Sequence, residues 1–491
     1  MECGLQWKDI TCWDDVPRLT LTHEETLETA IADYCPDMGR VVETCGQLCL
    51  RSVAAQGGGV ELRGTVRVTV LYTSEESVGL RSLTQNVPFT CGAENRPLSE
   101  CQVLWATGRL LLCEAQALTP RRLAVRIMPE WTVCGYKCAT VRLCTGVEEE
   151  PSLRLRRQER ELCLTCAMAE RECSVSGETA VPAGQPVPED LLAYRLYPQV
   201  DSCQIVGTKL LVKGDVTLHA MYRCQQQKLH TYMATLPFSQ IVESPGNGED
   251  GDVTAAVQCI CGEARLLRSE ESSGFAVTAE LRLLLRLTRR ESVACVTDLY
   301  STRCVLKPET AEITLPTSPE RPARQEVAQH LDFGRQRPFV FIVDTDCAPS
   351  VAEDGTPCAS LRLHLLYLDE EEAPAVTERT TQIPLQEGEV CTRWGAPEAA
   401  FTGMGCDLRQ TVCVAPAASP RQTVHTVTGV QTLPQQEENG RPSLVMRRLR
   451  AGETLWDVAK QYRTDEELIR TVNQLEGDAL PEKMLLIPRV R

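Results

Sequence analysis

The sequence predicts a multidomain chain: mainly β repeat domains, each a small sandwich or barrel, then a small α+β domain of order β-α-α-β. Three observations predict it. One strand pattern occurs three times. An apolar-Pro-apolar tripeptide follows each copy at nearly the same distance. The C-terminal stretch changes from period two to a helical period.

The clearest strand is V-E-L-R-G-T-V-R-V-T-V-L-Y. Val60, Leu62, Val66, Val68, Val70 and Tyr72 fall on one face, and Glu61, Arg63, Thr65, Arg67 and Thr69 on the other. Gly64 interrupts the apolar face, the mark of a bulge or a close backbone approach. Leu210, Val212, Gly214, Val216, Leu218, Ala220 and Tyr222 repeat the pattern. Ala359, Leu361, Leu363, Leu365 and Tyr367 give a third copy, with Ala359 at the Gly position. The tyrosines are 150 and 145 residues apart. Val87-Pro88-Phe89, Leu236-Pro237-Phe238 and Ile383-Pro384-Leu385 follow them, the Pro at offsets of 16, 15 and 17. This is an internal repeat.

The repeats span 21–147, 161–305 and 323–432, the third the most divergent. Residues 1–20 form a lead-in with two Trp that could cover an edge of the first repeat. The charged stretch 148–160 and the Pro-rich stretch 306–322 read as linkers, as does the polar stretch 433–442. In the last block, 443–491, Leu444 to Leu449 and Met484 to Pro488 read as strands. Leu455, Val458, Ala459 and Tyr462 share one helix face, and Thr454 with Asp457 starts that helix as a capping box. Thr464 with Glu467 repeats the device before a second helix faced by Leu468, Val472 and Leu475.

The 491 residues, 43% hydrophobic and 24% charged, make a folded chain of several domains. A net charge of −16 argues against nucleic acid or an anionic membrane as the main partner. No apolar run is long enough to span a bilayer. The start, M-E-C-G-L-Q-W-K-D-I, lacks a basic n-region and an apolar h-region, so the expectation is no secretory signal and synthesis in the cytosol.

The 25 cysteines are read as small hydrophobes of strands rather than as disulfides, which need an oxidising compartment. Cys163-x-x-Cys166 with Cys173, or Cys134, Cys138 and Cys144, lack the paired spacing of a zinc site, so no metal and no cofactor is expected. No catalytic motif occurs, and Gly57-Gly58-Gly59 reads as a loop because no helix follows it. His219 and His364 share one repeat position, which Thr69 holds in the first copy. All three are expected to be exposed on the polar strand face.

The last block resembles a LysM domain. Leu449 to Ala459 is similar to the family's opening V-x-x-G-D-T-L-x-x-I-A, and Asn473-x-Leu475 and Leu486-Ile487-Pro488 to its middle and end. Glu453 stands where Asp is usual, Glu482-Lys483 where a Gly usually precedes the last strand, and Arg447, Arg448 and Arg450 flank the groove side. The resemblance implies a groove for N-acetylglucosamine-containing peptidoglycan glycans. The groove residues would be Gly452, Glu453, Thr454, Leu455 and Trp456, with Asn473, Gln474 and Leu475. Trp456 is expected to point away from the helix's core stripe and to be an exposed anchor.

The repeats resemble the SPOCS domain, also called DUF3794. Ala32 to Val41 is similar to that family's P-D-x-x-P-D-I-x-x-I opening, Gly64 to Tyr72 and Val87-Pro88-Phe89 to its central strand and turn, and Val296 to Thr302 to its D-x-Y-S ending. Serial SPOCS repeats with one C-terminal LysM resemble the SipL-like spore coat morphogenetic family. That implies a non-enzymatic structural adaptor, made in the mother cell and docked at the forespore surface on a SpoIVA-like ATPase. Two other readings stand beside it: a peptidoglycan-binding protein of wall or cortex, resting on the LysM block, and an enzyme such as a wall hydrolase.

Overall fold

The computed structural model describes all residues except 1–3, 76–78, 149, 247–250, 269–272, 319–321, 335–338, 435–442, 451, 476–483 and 489–491. Three β units and a small α+β domain follow one another. The first unit holds β1 Leu5–Asp15, β2 Leu19–Thr22, β3 Glu25–Ala30, β4 Arg40–Gln56, β5 Gly59–Thr73, β6 Leu80–Glu94, α1 Arg96–Ser99, β7 Val103–Thr119 and β8 Arg122–Val147. The second holds β9 Leu153–Ala180, β10 Pro188–Val206, β11 Lys209–Cys224, β12 Leu229–Glu243, β13 Asp252–Arg268 and β14 Ser273–Ser301. The third holds β15 Val305–Pro316, β16 Ala323–Asp332, β17 Val340–Val351, β18 Pro357–Leu368, β19 Pro374–Pro384, β20 Glu389–Thr402, β21 Gly405–Pro416 and β22 Arg421–Leu433.

Each unit has the same wiring. The repeated strand is the middle of an antiparallel sheet: β4–β5–β6, β10–β11–β12 and β17–β18–β19. A second sheet faces it, centred on β8, β14 or β21. The alternation explains the layers. Val66, Val68 and Val70 pack inward against Val125, Ile127 and Trp131, and Leu218 and Ala220 against Leu281 and Leu283. In the third unit Leu363 and Leu365 meet Leu408 and Cys406.

The repeated Tyr and Gly have defined tasks. Tyr72 Oη donates to Pro36 O at 3.3 Å and Tyr222 Oη to Pro186 O at 3.0 Å, tying the turn before β4 or β10 to the central strand. A Cβ on Gly64 would meet Cys49 O and the Phe89 ring, and one on Gly214 would meet Gln199 O and the Phe238 ring. Ala359 is opposite Ile383, where Gly64 and Gly214 are opposite Phe89 and Phe238.

The other face of the repeated strand is not solvent-exposed throughout. Leu71, Met221 and Leu366, each just before its Tyr, meet in one core with Cys45, Leu192, Ala193, Phe341 and Val343. Equivalent residues of all three units converge there. Cys45, Arg195 and Asp344 pair in register with Thr69, His219 and His364. Arg195 Nε donates to Val343 O at 2.8 Å, Nη1 donates to Gly46 O, and Nη2 lies 3.6 Å from Asp344 Oδ1. The expected exposure of the two histidines is therefore corrected. His219 is 4% exposed with its ring 4.8 Å from Phe341, and His364 is half-buried with Nε2 3.0 Å from Glu43 Oε2.

The stretches 148–160 and 306–322, expected as linkers, hold strands instead. Leu153 to Thr165 on β9 pairs with the end of β14, and β15 pairs with β22. β1, in the expected lead-in, pairs with the end of β8. These three ribbons pack on one another. Ile10, Cys12, Leu143, Leu162, Leu164, Val293, Cys295, Leu315 and Val424 form one shared core, and Cys144, Val147, Val296, Leu299, Leu306 and Val427 a second. Burial of that apolar row, at about 25 cal/mol per Å², outweighs the local charge and the prolines. Of the stretch expected as the linker 433–442, residues 435–442 lie outside the described ones.

Candidate functional site

The C-terminal domain holds β23 Leu444–Arg447, α2 Leu455–Tyr462, α3 Glu466–Val472 and β24 Leu485–Pro488, with β23 antiparallel to β24. Thr454 caps α2. Its side chain accepts from Asp457 N, and the Asp457 carboxylate accepts from Thr454 N at 2.9 Å. The second cap differs from expectation. Asp465 is the N-cap of α3, while Thr464 is fully buried and donates through Oγ1 to Pro488 O. The buried face of α3 is Ile469, whereas Val472 is 39% exposed.

The eight expected groove residues part into distinct roles. Gly452, with φ +82, and Gln474, with φ +53, occupy left-handed turns and are exposed. Glu453 accepts from Arg447 Nη2 at 2.6 and 2.9 Å and from Arg450 N at 3.0 Å, so its carboxylate shapes the first loop. The Arg450 amide, ahead of the Arg447 guanidinium, holds that carboxylate below the usual range. Leu455 is core. Asn473 bonds Leu486 N and O at 2.7 and 2.6 Å and Ile469 O at 2.8 Å, splinting the end of α3 to β24. Leu475 is half-buried at the domain core.

Trp456 does not stand in solvent. It is buried in one cluster with Leu455, Val458 and Ala459 of its own helix and Tyr300 of the second β unit, which leaves it 9% exposed. Its ring meets Tyr300 edge-on at 4.9 Å, and Nε1 donates to Asp298 Oδ2 at 2.7 Å. Lys460 Nζ reaches Asp298 Oδ1 at 2.5 Å, and Tyr300 Oη donates to Thr464 O at 2.9 Å. Arg154 Nε and Nη2 hold Asp465 Oδ2 at 2.8 and 2.5 Å. The small domain is seated on the end of β14. Beside this seat is an open cleft of about 550 Å³ with Arg154, Tyr300, Trp456, Arg470 and Leu475 in its walls.

The seat residues were not found from sequence, although Asp298-Leu299-Tyr300-Ser301 was visible as a motif. A signal for them lies in the other units. Val147, Leu299 and Val430 share one junction core, yet Gly146 and Glu148, or Gly429 and Gln431, flank the first and third. Only the second unit offers Asp and Tyr at this place.

Residues 189–260, which run from β10 into β13, match the family described as SipL, SPOCS domain, and residues 448–487 match the LysM domain. The chain carries a SPOCS domain and a LysM domain. The order of the two, SPOCS followed by a C-terminal LysM, matches the SipL-like architecture. SPOCS and LysM are non-catalytic binding domains. No curated protein and no solved structure matches the chain. Among the described residues, no helix is long and apolar enough to cross a membrane.

Proposed function

We propose that the chain is a non-enzymatic structural adaptor of endospore coat assembly. In this reading the first and third units are further SPOCS repeats, the mother cell makes the chain, and it docks at the forespore surface on a SpoIVA-like ATPase. The observation that carries it is the seat of the LysM domain. Its Trp456, Lys460, Thr464 and Asp465 are bound by Asp298, Tyr300 and Arg154 of the second unit, so a binding module is built into a scaffold. Gly452, Thr454, Gln474 and Leu475, at or near the surface, would supply the contacts to the partner.

The second reading is glycan binding by the same LysM face. The cleft favours it, because Tyr300 and Trp456 place aromatic carbon beside the charged groups of Arg154 and Arg470. A pull-down with the SpoIVA-like ATPase of the same spore former as bait separates the readings. It compares the full chain with one ending before Arg441, beside sedimentation with purified peptidoglycan. Capture of the full chain only, with no sedimentation, is expected. Sedimentation without capture would overturn the adaptor reading.

A further inference from the structure

The first and second units meet along a seam where β4 lies against β13. Arg67 Nη1 crosses it to Gly262 O at 2.6 Å and to Tyr194 Oη, and Arg282 Nη2 crosses back to Arg51 O at 2.9 Å. One cysteine comes from each side. Cys49 on β4 pairs in register with Thr65 and is 4% exposed. Cys261 on β13 is next to Gly262, at a register shift opposite Glu280, and is half-buried. Cys49 sits between Gln47, which is opposite Arg67, and Arg51, so the two hydrogen bonds that cross the seam bracket it and bring the strand at Cys261 and Gly262 to the same place.

This pair differs from Cys347 and Cys391, which also share one core but lie within the third unit, where a bridge would join elements already packed together. Cys49 and Cys261 belong to different units. Their surroundings also differ. Cys261 is next to the carbonyl that the Arg67 guanidinium holds, a positive charge that favours a thiolate, while Cys49 is buried. The sulfur beside the guanidinium is also the one nearer solvent.

We propose that Cys49 and Cys261 form an oxidative modification site, where hydrogen peroxide closes a disulfide that staples the first β unit to the second. The Cys261 thiolate attacks one peroxide oxygen. The O–O bond breaks, Cys261 becomes a sulfenic acid, and the departing hydroxide takes up the proton that Cys261 released, giving water. The Cys49 sulfur then attacks the sulfenic sulfur. The S–O bond breaks, the S–S bond forms, and the Cys49 proton leaves with that hydroxide as a second water. Two electrons pass from the thiols to the peroxide. Arg67 is a positioning residue, since it fixes the strand beside Cys261 and favours the thiolate.

The test treats the reduced full chain with hydrogen peroxide at neutral pH and blocks remaining thiols with N-ethylmaleimide. Non-reducing electrophoresis and peptide mapping follow. A band faster than the reduced chain is expected, with a linked Cys49–Cys261 peptide that appears before the exposed Cys138 is oxidised. Cys49→Ser and Cys261→Ser should each abolish the fast band, and Cys138→Ser should keep it. Arg67→Met should slow the first step, read as slower sulfenic-acid trapping by dimedone in the Cys49→Ser chain. If a variant fails to fold, the wild-type map decides. Cys49 and Cys261 both recovered as maleimide adducts while other cysteines are oxidised overturns the proposal, as does either one bridged to a different partner.

Discussion

Replacing Asp298 by Ala tests the seat of the LysM domain. The indole N–H loses a charged acceptor at 2.7 Å, a bond worth about 1.5–3 kcal/mol. The Lys460 contact adds at most about 1 kcal/mol, because both side chains are partly solvated. The Tyr300–Trp456 packing, the Tyr300–Thr464 bond and the Arg154–Asp465 pair remain. Seating should therefore weaken by about 1.5–4 kcal/mol without being abolished. Opening the LysM domain from its seated state costs its own stability plus the seating energy, so hydrogen exchange reads the sum. Amides of 455–472 should lose protection by about 10- to 700-fold, at 1.4 kcal/mol per decade. Trp456→Phe removes the N–H together with part of the ring, and the double-mutant cycle with Asp298→Ala cancels the packing loss, leaving a coupling energy of about 1.5–3 kcal/mol. Protection unchanged within threefold in Asp298→Ala would refute the reasoning.

Burial lowers the pKa of His219 from 6.5 to about 4, so between these values the unfolded chain binds the proton and the folded chain does not. The stability this neutral His contributes is full above pH 6.5 and is lost as pH falls, by about 3 kcal/mol at pH 4. Urea unfolding of wild type against His219→Phe should show that difference. His364, raised first by its hydrogen bond to Glu43, acts in the opposite sense and is common to both chains, so it cancels. Arg195→Met leaves the Gly46 and Val343 carbonyls without their donor and should cost at least about 2 kcal/mol by denaturant midpoint. Gly214→Ala should cost about 1–3 kcal/mol by overpacking against Gln199 and Phe238, whereas Ala359→Gly should cost no more than about 1 kcal/mol; paired thermal melts distinguish them.

The central strands were legible because one face of each is a continuous apolar row, and the small domain because its caps and helix face agree. What period two cannot tell is whether the second face meets water. Thr69, His219 and His364 look alike in sequence, and only the packing of three units buries His219. The strand at Leu153 and Leu155 was hidden for the converse reason. Its alternation is short and set among Glu and Arg, which pair or stay solvated on its outer face while the two leucines enter the junction. For Trp456 the helical wheel could not show that Asp298 and Tyr300, more than 150 residues earlier, cover the ring. The eight groove residues were chosen by likeness to a free-standing domain, and the seat is a property of two domains together.

The three junction ribbons impose an order on synthesis. The strands of each sandwich come from one contiguous stretch of the chain, so each can form as it leaves the ribosome. β15 has no ladder until β22 has been made, more than a hundred residues later. Until then the row containing Leu315 lacks Val424, and the hub of the molecule is unfinished. The LysM domain is translated after all three units, and the strand end it grips belongs to that hub. Its grip is thus a check on the hub. A chain that has mispaired its hub offers a displaced Asp298 and Tyr300, and the LysM domain comes off the ribosome with nowhere to settle.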